Sequence, residues 1–342
     1  MKNHRIMDYS SFILGGDIGG TNTNLGIFGV KNDKPVLLFS LHFESHKLKS
    51  LIPAIRKILS YAKEHKIKID NGCLAVAGPV SADRNFCNPT YIKWNIDAKE
   101  IFRKTSLRVF LINDFEAVGY GINLLCSKDI IKIGHKRRSL PRATKAVIGA
   151  GTGFGKSILI YRCKDYIPIP SEGGFSDFPV QSKLELTLVN FIKKKKGIKE
   201  PISCEEIISG KGIESIYSFL KERFKSTKYG KEISKARNKV SLIAKYKNKD
   251  RVCKETFKLY TKFYARVAKN FVLDSLAQGG LYIAGGVAAK NMEIFKSKGF
   301  IKEFENVNKQ PGILKKVPIY VIKNCVVGLY GAAHAAIRKA LK

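Results

Sequence analysis

Two stretches of this chain share one unusual build, and together they restrict its fold more than any other feature. The first runs Phe12-Ile13-Leu14-Gly15-Gly16-Asp17-Ile18-Gly19-Gly20-Thr21-Asn22-Thr23-Asn24 and leaves through Leu25-Gly26-Ile27-Phe28. The second, about 130 residues on, runs Lys145-Ala146-Val147-Ile148 into Gly149-Ala150-Gly151-Thr152-Gly153-Phe154-Gly155-Lys156-Ser157 and out through Ile158-Leu159-Ile160-Tyr161. Each reads as a β-hairpin whose turn is crowded with glycine, which lets backbone come close to something bulky. Backbone N–H groups, Thr21 and Asn22 or Asn24 supply donors for an anion, and Asp17 an anchor for a metal-bound water. The second stretch is not a P-loop: GxxxxGK[ST] needs glycine where Ala150 stands, and a strand rather than a helix follows. Two such units, too far apart for a solenoid repeat, predict a duplicated domain. Facing each other, the two turns would hold a triphosphate from both sides. The alternative for either turn alone is a purely structural hairpin.

Between them the chain reads as alternating strands and helices. Pro35 to Phe43 is a third strand, edge-like because of its proline. Leu48 to Ala62 carry apolar residues at helical spacing to about Lys66. Cys73 to Ala77 is an all-apolar strand ending at Gly78-Pro79, and Val109 to Ile112 another, ending at Asn113-Asp114-Phe115. This predicts half of a twisted, mostly parallel sheet with helices on its faces, whose ligands meet the carboxyl ends of the strands. Asp17, Gly78 and Asp114 all sit at such ends. Asp114, at the rim of an apolar sheet, can take a proton from a hydroxyl, and Asn113 offers both donor and acceptor. The alternative is that Asp114 caps a helix from Phe115 to Leu125.

At 342 residues the chain suggests two domains, and 44% hydrophobic content is globular. The formal charge of +34 brings polyanions into consideration. Yet the lysines are spread along the chain, the runs Lys136-Arg137-Arg138, Lys193 to Lys196 and Lys245-Tyr246-Lys247 are short, and no nucleic-acid motif accompanies them. The preferred reading is solvated lysine-rich faces, with no specific nucleic acid. Seven scattered cysteines without a CxxC pair read as reduced core thiols of a cytoplasmic protein, and unclustered histidines leave no zinc site. The longest apolar run, Cys325 to Ile337, is too short to span a bilayer, so a soluble protein is expected.

Past the second turn, Ile169 to Phe178 reads as irregular and Cys204 to Gly210 as a polar island. Glu172 and Glu205 can each accept two hydrogen bonds from a polyol, or Glu205 is a charged first-turn helix residue. Helices are expected at 212–224, 231–247 and Arg251 to Leu276. Gly280 to Ala284 is a strand delivering Gly285-Gly286, where a flat base or ribose can lie close to backbone. Val317 to Ile322 is a final strand, followed by a helix from Val326 to Leu341 with a small face.

The ordered set Gly16-Asp17-Ile18-Gly19-Gly20-Thr21-Asn22, Leu111-Ile112-Asn113-Asp114-Phe115, Gly149-Ala150-Gly151-Thr152-Gly153, Glu172-Gly173-Gly174, Ile208-Ser209-Gly210 and Tyr282-Ile283-Ala284-Gly285-Gly286-Val287 resembles the bacterial-type ATP-dependent glucokinase family over about residues 12–335. The resemblance implies an α/β, duplicated ribonuclease-H-like (actin/hexokinase-type) fold, often a homodimer, with two domains closing on hexose and Mg-ATP. It implies a smaller domain of residues 1–124 plus 320–342 and a larger one of 125–319. It implies glucokinase activity with Asp114 as general base, Asn113, Glu172 and Glu205 on the sugar, and Asp17 on Mg2+ through water. Gly19, Gly20, Thr21, Asn22, Gly149, Gly151, Thr152 and Gly153 would hold ATP phosphates, and Gly285 and Gly286 would border the adenosine. Two departures stand out. Phe175 replaces the family's sugar-contacting His, and Asn88 to Trp94 is longer than its counterpart near the sugar side. Absence of the zinc motif of related ROK kinases favours the zinc-free branch. The competing readings are a same-fold kinase for another hexose or amino sugar, and a sugar-sensing regulator. Against the regulator, a first strand near residue 12 leaves no room for an N-terminal helix-turn-helix.

Overall fold

The computed structural model describes residues 8–69, 71–134, 137–225 and 227–340. Lys136 of the expected basic run and Leu341 of the expected terminal helix lie outside them. Two compact units are present. One comprises Met1–Lys128, Ser157–Ser171 and Asn324–Lys342, the other Asp129–Lys156 and Glu172–Lys323.

The first sheet has strands β1 (Ser11–Ile18), β2 (Asn22–Lys31), β3 (Lys34–Glu44), β4 (Asn71–Val76) and β7 (Arg108–Asn113) in the order β3-β2-β1-β4-β7; β5 (Phe86–Cys87) and β6 (Ile96–Asp97) form a separate ribbon. It is mixed, not mostly parallel as expected. β1–β2 and β2–β3 are antiparallel, while β1–β4 and β4–β7 are parallel. The reason lies in the connections. The short turns at Gly19–Thr21 and Asn32–Asp33 can join only antiparallel neighbours, whereas the parallel pairs use longer crossovers. β3 stands at the edge, as its proline predicts.

Alternation along the strands sorts side chains to two covered faces. Leu14, Ile18, Leu25, Ile27, Leu74 and Val76 pack with Ile52, Ile55 and Ile58 of the helix Ile52–Glu64. Ile13, Phe28, Val30, Cys73 and Ala75 pack with Leu329, Ala332, Ala333, Ala336 and Ile337 of the helix Val327–Ala340. The small face of that helix is used closely: a Cβ at Gly331 would come 1.7 Å from the carbonyl oxygen of Ala117, and one at Gly121 would come 2.4 Å from that of Val327.

The second sheet contains β8 (Ile130–Ile133), β9 (Lys145–Ala150), β10 (Phe154–Arg162), β11 (Asp165–Ser171), β12 (Gly280–Ala284) and β13 (Ile319–Ile322), in the order β11-β10-β9-β12-β13-β8. Its first five positions repeat the sequence logic of the first sheet: hairpin strands outward, then two strands reached by crossovers, with β12 parallel to both β9 and β13. The duplication read from the two glycine turns is thus visible in strand order.

Several local expectations are corrected. Ile169–Ser171 completes β11 instead of being irregular. The stretch 231–247 is two helices, Lys228–Lys235 and Lys239–Tyr246, because Asn238 caps the second through a bond from Ser241 N. The helix after Asn113 stops at Ile122. Cys73, Cys87, Cys204 and Cys253 are buried, but Cys126, Cys163 and Cys325 are exposed in turns and connections. No helix among the described residues is long and apolar enough to cross a membrane.

Candidate functional site

At the carboxyl edge of the first sheet, Ile18 of β1 is level with Val76 of β4, and Val76 with Asn113 of β7. Asp17 and Asp114 therefore stand toward one edge, on strands two spacings or about 10 Å apart, with Asp114 two residues further along than the position level with Asp17. The intervening turn is shaped by its own backbone, Gly19 N donating to Asn22 O at 2.9 Å. Ser45, which sequence reading overlooked, fastens it from outside: its Oγ donates to Gly19 O at 2.6 Å and its N to Thr21 O at 2.9 Å. Gly20 has to be glycine, since a Cβ there would lie 2.4 Å from that of Tyr91. The 88–94 segment thus lies against the first turn through Tyr91. Asn24 is turned aside, its Oδ1 bonded to His42 Nδ1 at 2.8 Å across the hairpin.

The Asp17 carboxylate forms no hydrogen bond or ion pair among the described residues, while its backbone belongs to the sheet. Densely surrounded although partly exposed, its carboxyl is pushed up to about 6 by desolvation. Gly328, in the first turn of the terminal helix, leaves room beside it, a Cβ there falling 3.4 Å from Asp17 Oδ2. A carboxylate held this way suits a positive partner.

The cap of the next helix is Asn113, not Asp114. Asn113 Oδ1 accepts from Phe115 N at 2.8 Å and Glu116 N at 3.3 Å, while its Nδ2 donates to Gly78 O at 3.4 Å. Its acceptor is committed to the backbone, so only its amide N–H groups can serve a ligand. Asp114 is the first helical residue, half-buried, with Oδ1 accepting from Phe115 N at 2.9 Å. There it meets the partial positive charge of the helix N-terminus. The same turn is held from below by buried Glu116, paired with Arg84 Nη2 at 2.9 Å; burial pushes the Glu116 carboxyl up and Arg84 opposes it. Neither residue stood out in the sequence. Replacing Asn113 by Ala removes the cap, and a loss of about 1–2 kcal/mol is expected, read as a lower midpoint of thermal unfolding.

The second unit assembles its own set. Ala284 of β12 is level with Gly149 of β9, which brings Gly285-Gly286 beside the second turn. Gly285 has φ +89, and a Cβ there would lie 2.4 Å from Ala150 O. Gly151 N donates to Gly153 O at 2.9 Å, closing the turn, and Gly210 N donates to Gly151 O at 3.0 Å. Gly151 and Thr152 are exposed at its tip. Glu205, in the first turn of the helix Cys204–Ile208, accepts from Phe154 N through Oε2 at 2.9 Å. Glu172 is near enough that the Glu205 charge adds to burial in pushing its carboxyl up. Gly174 presses on the turn's far end, where a Cβ would fall 1.8 Å from Phe154 O. Phe175 beside it is exposed. Lys156, unassigned from sequence, is buried with Nζ 3.3 Å from Ser176 Oγ, and burial lowers its pKa. Among the described residues no cluster of three or more His, Cys, Asp or Glu could hold a metal alone.

The model of the glucokinase family matches residues 14–339. A glucokinase of Nostoc sp. is 33% identical over 347 residues, spanning 96% of this chain and 99% of its own. That of Nostoc punctiforme is 31% identical with the same coverage. Among solved structures, a glucokinase from an Antarctic psychrotroph is similar at TM-score 0.76 and 25% identity, covering 96% of this chain and 99% of that one. The glucokinase of Balamuthia mandrillaris, solved in complex with glucose, is similar in fold at TM-score 0.80 and 21% identity, covering 95% and 93%.

Proposed function

We propose that this chain, which belongs to the glucokinase family, transfers the γ-phosphoryl group of ATP to the 6-hydroxyl of glucose. The reading is supported above all by Asp114, a carboxylate placed immediately after a buried strand on the sheet edge that also carries Asp17. Phosphoryl transfer asks a protein mainly for positioning, charge neutralisation and an oriented hydroxyl. In this assignment Asp114 takes the proton of the 6-hydroxyl as it attacks phosphorus. Asn113 Nδ2, Glu172 and Glu205 hold the other hydroxyls. Gly20, Thr21 and Asn22 on one turn, and Thr152 and Gly153 on the other, meet the phosphates, whereas Gly19 and Gly151 shape those turns through their own backbone bonds. Gly285 and Gly286 border the adenosine.

Asp17 would hold the water shell of a Mg2+ bound with the nucleotide, which would supply neutralisation of the phosphate charge. The proposal includes a cytoplasmic location, where ATP is available, and a homodimer, which light scattering on the purified protein checks. ADP release with glucose, mannose, fructose and glucosamine tests the activity, with glucose expected to be the best acceptor; no ADP release with any of the four would overturn the assignment.

Phe175 favours a second reading, the same chemistry on a different hexose or amino sugar, because an exposed ring cannot hydrogen-bond a hydroxyl where the family has His. Phe175→His is expected to lower the KM for glucose several-fold, corresponding to about 1 kcal/mol for one hydrogen bond, without loss of stability. If it leaves KM for glucose unchanged and lowers that for another sugar, the second reading gains.

A further inference from the structure

Glu205 touches more than a sugar would require. Its Oε2 accepts the N–H of Phe154, the residue directly after the Gly151–Gly153 turn. The same short helix leads through Ser209 to Gly210, whose N–H holds Gly151 O on the other side of that turn. The helix itself is pinned from behind by the buried Tyr260, whose hydroxyl donates to Ile208 O at 2.8 Å. Within the turn itself the Gly151 N–Gly153 O bond closes the backbone, while its tip is exposed and two of its three residues are glycine. Glycine gives a turn its reach and also its freedom, so bonds from outside add to its ordering.

We propose that Glu205 is a positioning residue for the phosphate-binding turn, fixing Gly151–Gly153 through the Phe154 N–H in addition to serving the sugar. Together with the Gly210–Gly151 bond it clamps both ends of the turn, so that Thr152 and Gly153 are presented in one arrangement before nucleotide arrives. This inference rests on the kinase reading for the identity of the two ligands. It adds that nucleotide affinity depends on a residue assigned to the sugar, even when sugar is absent.

The test is sugar-free binding of Mg-ADP, by calorimetry, to the full chain and three variants. Glu205→Ala removes the acceptor and is expected to weaken Mg-ADP about tenfold, the scale of one charge-assisted hydrogen bond. Glu205→Gln keeps an acceptor oxygen and is expected to recover most of that affinity, which an effect of the lost charge alone would not allow. Glu172→Ala, with no bond to the turn, is expected to lose glucose affinity and keep that for Mg-ADP. If Glu205→Ala fails to fold, Gly210→Ala replaces it. Its Cβ would approach Gly151 O to 3.3 Å and disturb the clamp from the other side, so weaker Mg-ADP binding with unchanged glucose binding is expected. Wild-type Mg-ADP affinity in Glu205→Ala, or in Gly210→Ala where that stands in, overturns the positioning role and leaves the kinase reading standing. Failure of the wild-type chain to bind Mg-ADP at all overturns both.

Discussion

Asp114→Asn is expected to lose about 10²–10⁴-fold in turnover with glucose while keeping most of its glucose affinity. The magnitude is that of a positioned general base. The split between turnover and binding follows from geometry: the amide keeps the size of the carboxylate and can still accept from Phe115 N, as Asp114 Oδ1 does at 2.9 Å. The helix keeps its cap because that belongs to Asn113. What disappears is the negative oxygen able to take a proton. Steady-state ADP release and equilibrium glucose binding on the same preparation decide it. Turnover within threefold of wild type would remove Asp114 from the chemistry, and loss of glucose binding with turnover would make it a sugar anchor.

Asp17→Asn is expected to divide stability from activity. Desolvation raises the Asp17 carboxyl to about 6, from a value near 4 in an unfolded chain. The folded state thus binds the proton more tightly than the unfolded state does. The stability this group contributes is present below about pH 4 and is lost as pH rises through about 6. At neutral pH the charged form is a cost, and asparagine removes it. A gain of about 1–3 kcal/mol at pH 7.5 is expected, from 1.36 kcal/mol per pKa unit, together with a flatter stability profile between pH 4 and 6. Activity should fall by about 10²-fold, the scale of removing one preorganised electrostatic group. Thermal melts across pH beside ADP release measure both. A variant that is less stable and fully active would contradict the role given to this carboxylate.

Much of this was readable from the chain because it depends on local pattern. Glycine-crowded turns between apolar runs gave the two hairpins, and all-apolar runs ending in polar residues gave β4, β7 and the Asn113-Asp114 pair. What was hidden depends on contacts between distant residues. The commitment of Asn113 Oδ1 to the helix cap could not be separated from an Asp114 cap, because both residue types favour that position. Ser45 on the first turn, Tyr91 against Gly20 and Tyr260 on Ile208 come from positions 26, 71 and 52 residues away, with no periodicity to announce them. The Glu205–Phe154 bond links residues 51 apart. Spacing alone also suggested one helix over 231–247, where the polar side chain of Asn238 instead opens a new one.

The helix Val327–Ala340 has a consequence for how the protein is made. It covers Ile13, Phe28, Cys73 and Ala75, on strands that precede it in the chain. A ribosome adding ~5–20 residues per second must translate roughly 200 more residues after β7 before this cover emerges. For about 10–40 s, then, the nascent first sheet carries an oily face awaiting its last piece. Slow translation would lengthen that window and fast translation shorten it, so the yield of native protein in cells should depend on elongation rate and on chaperones that shield nascent chains.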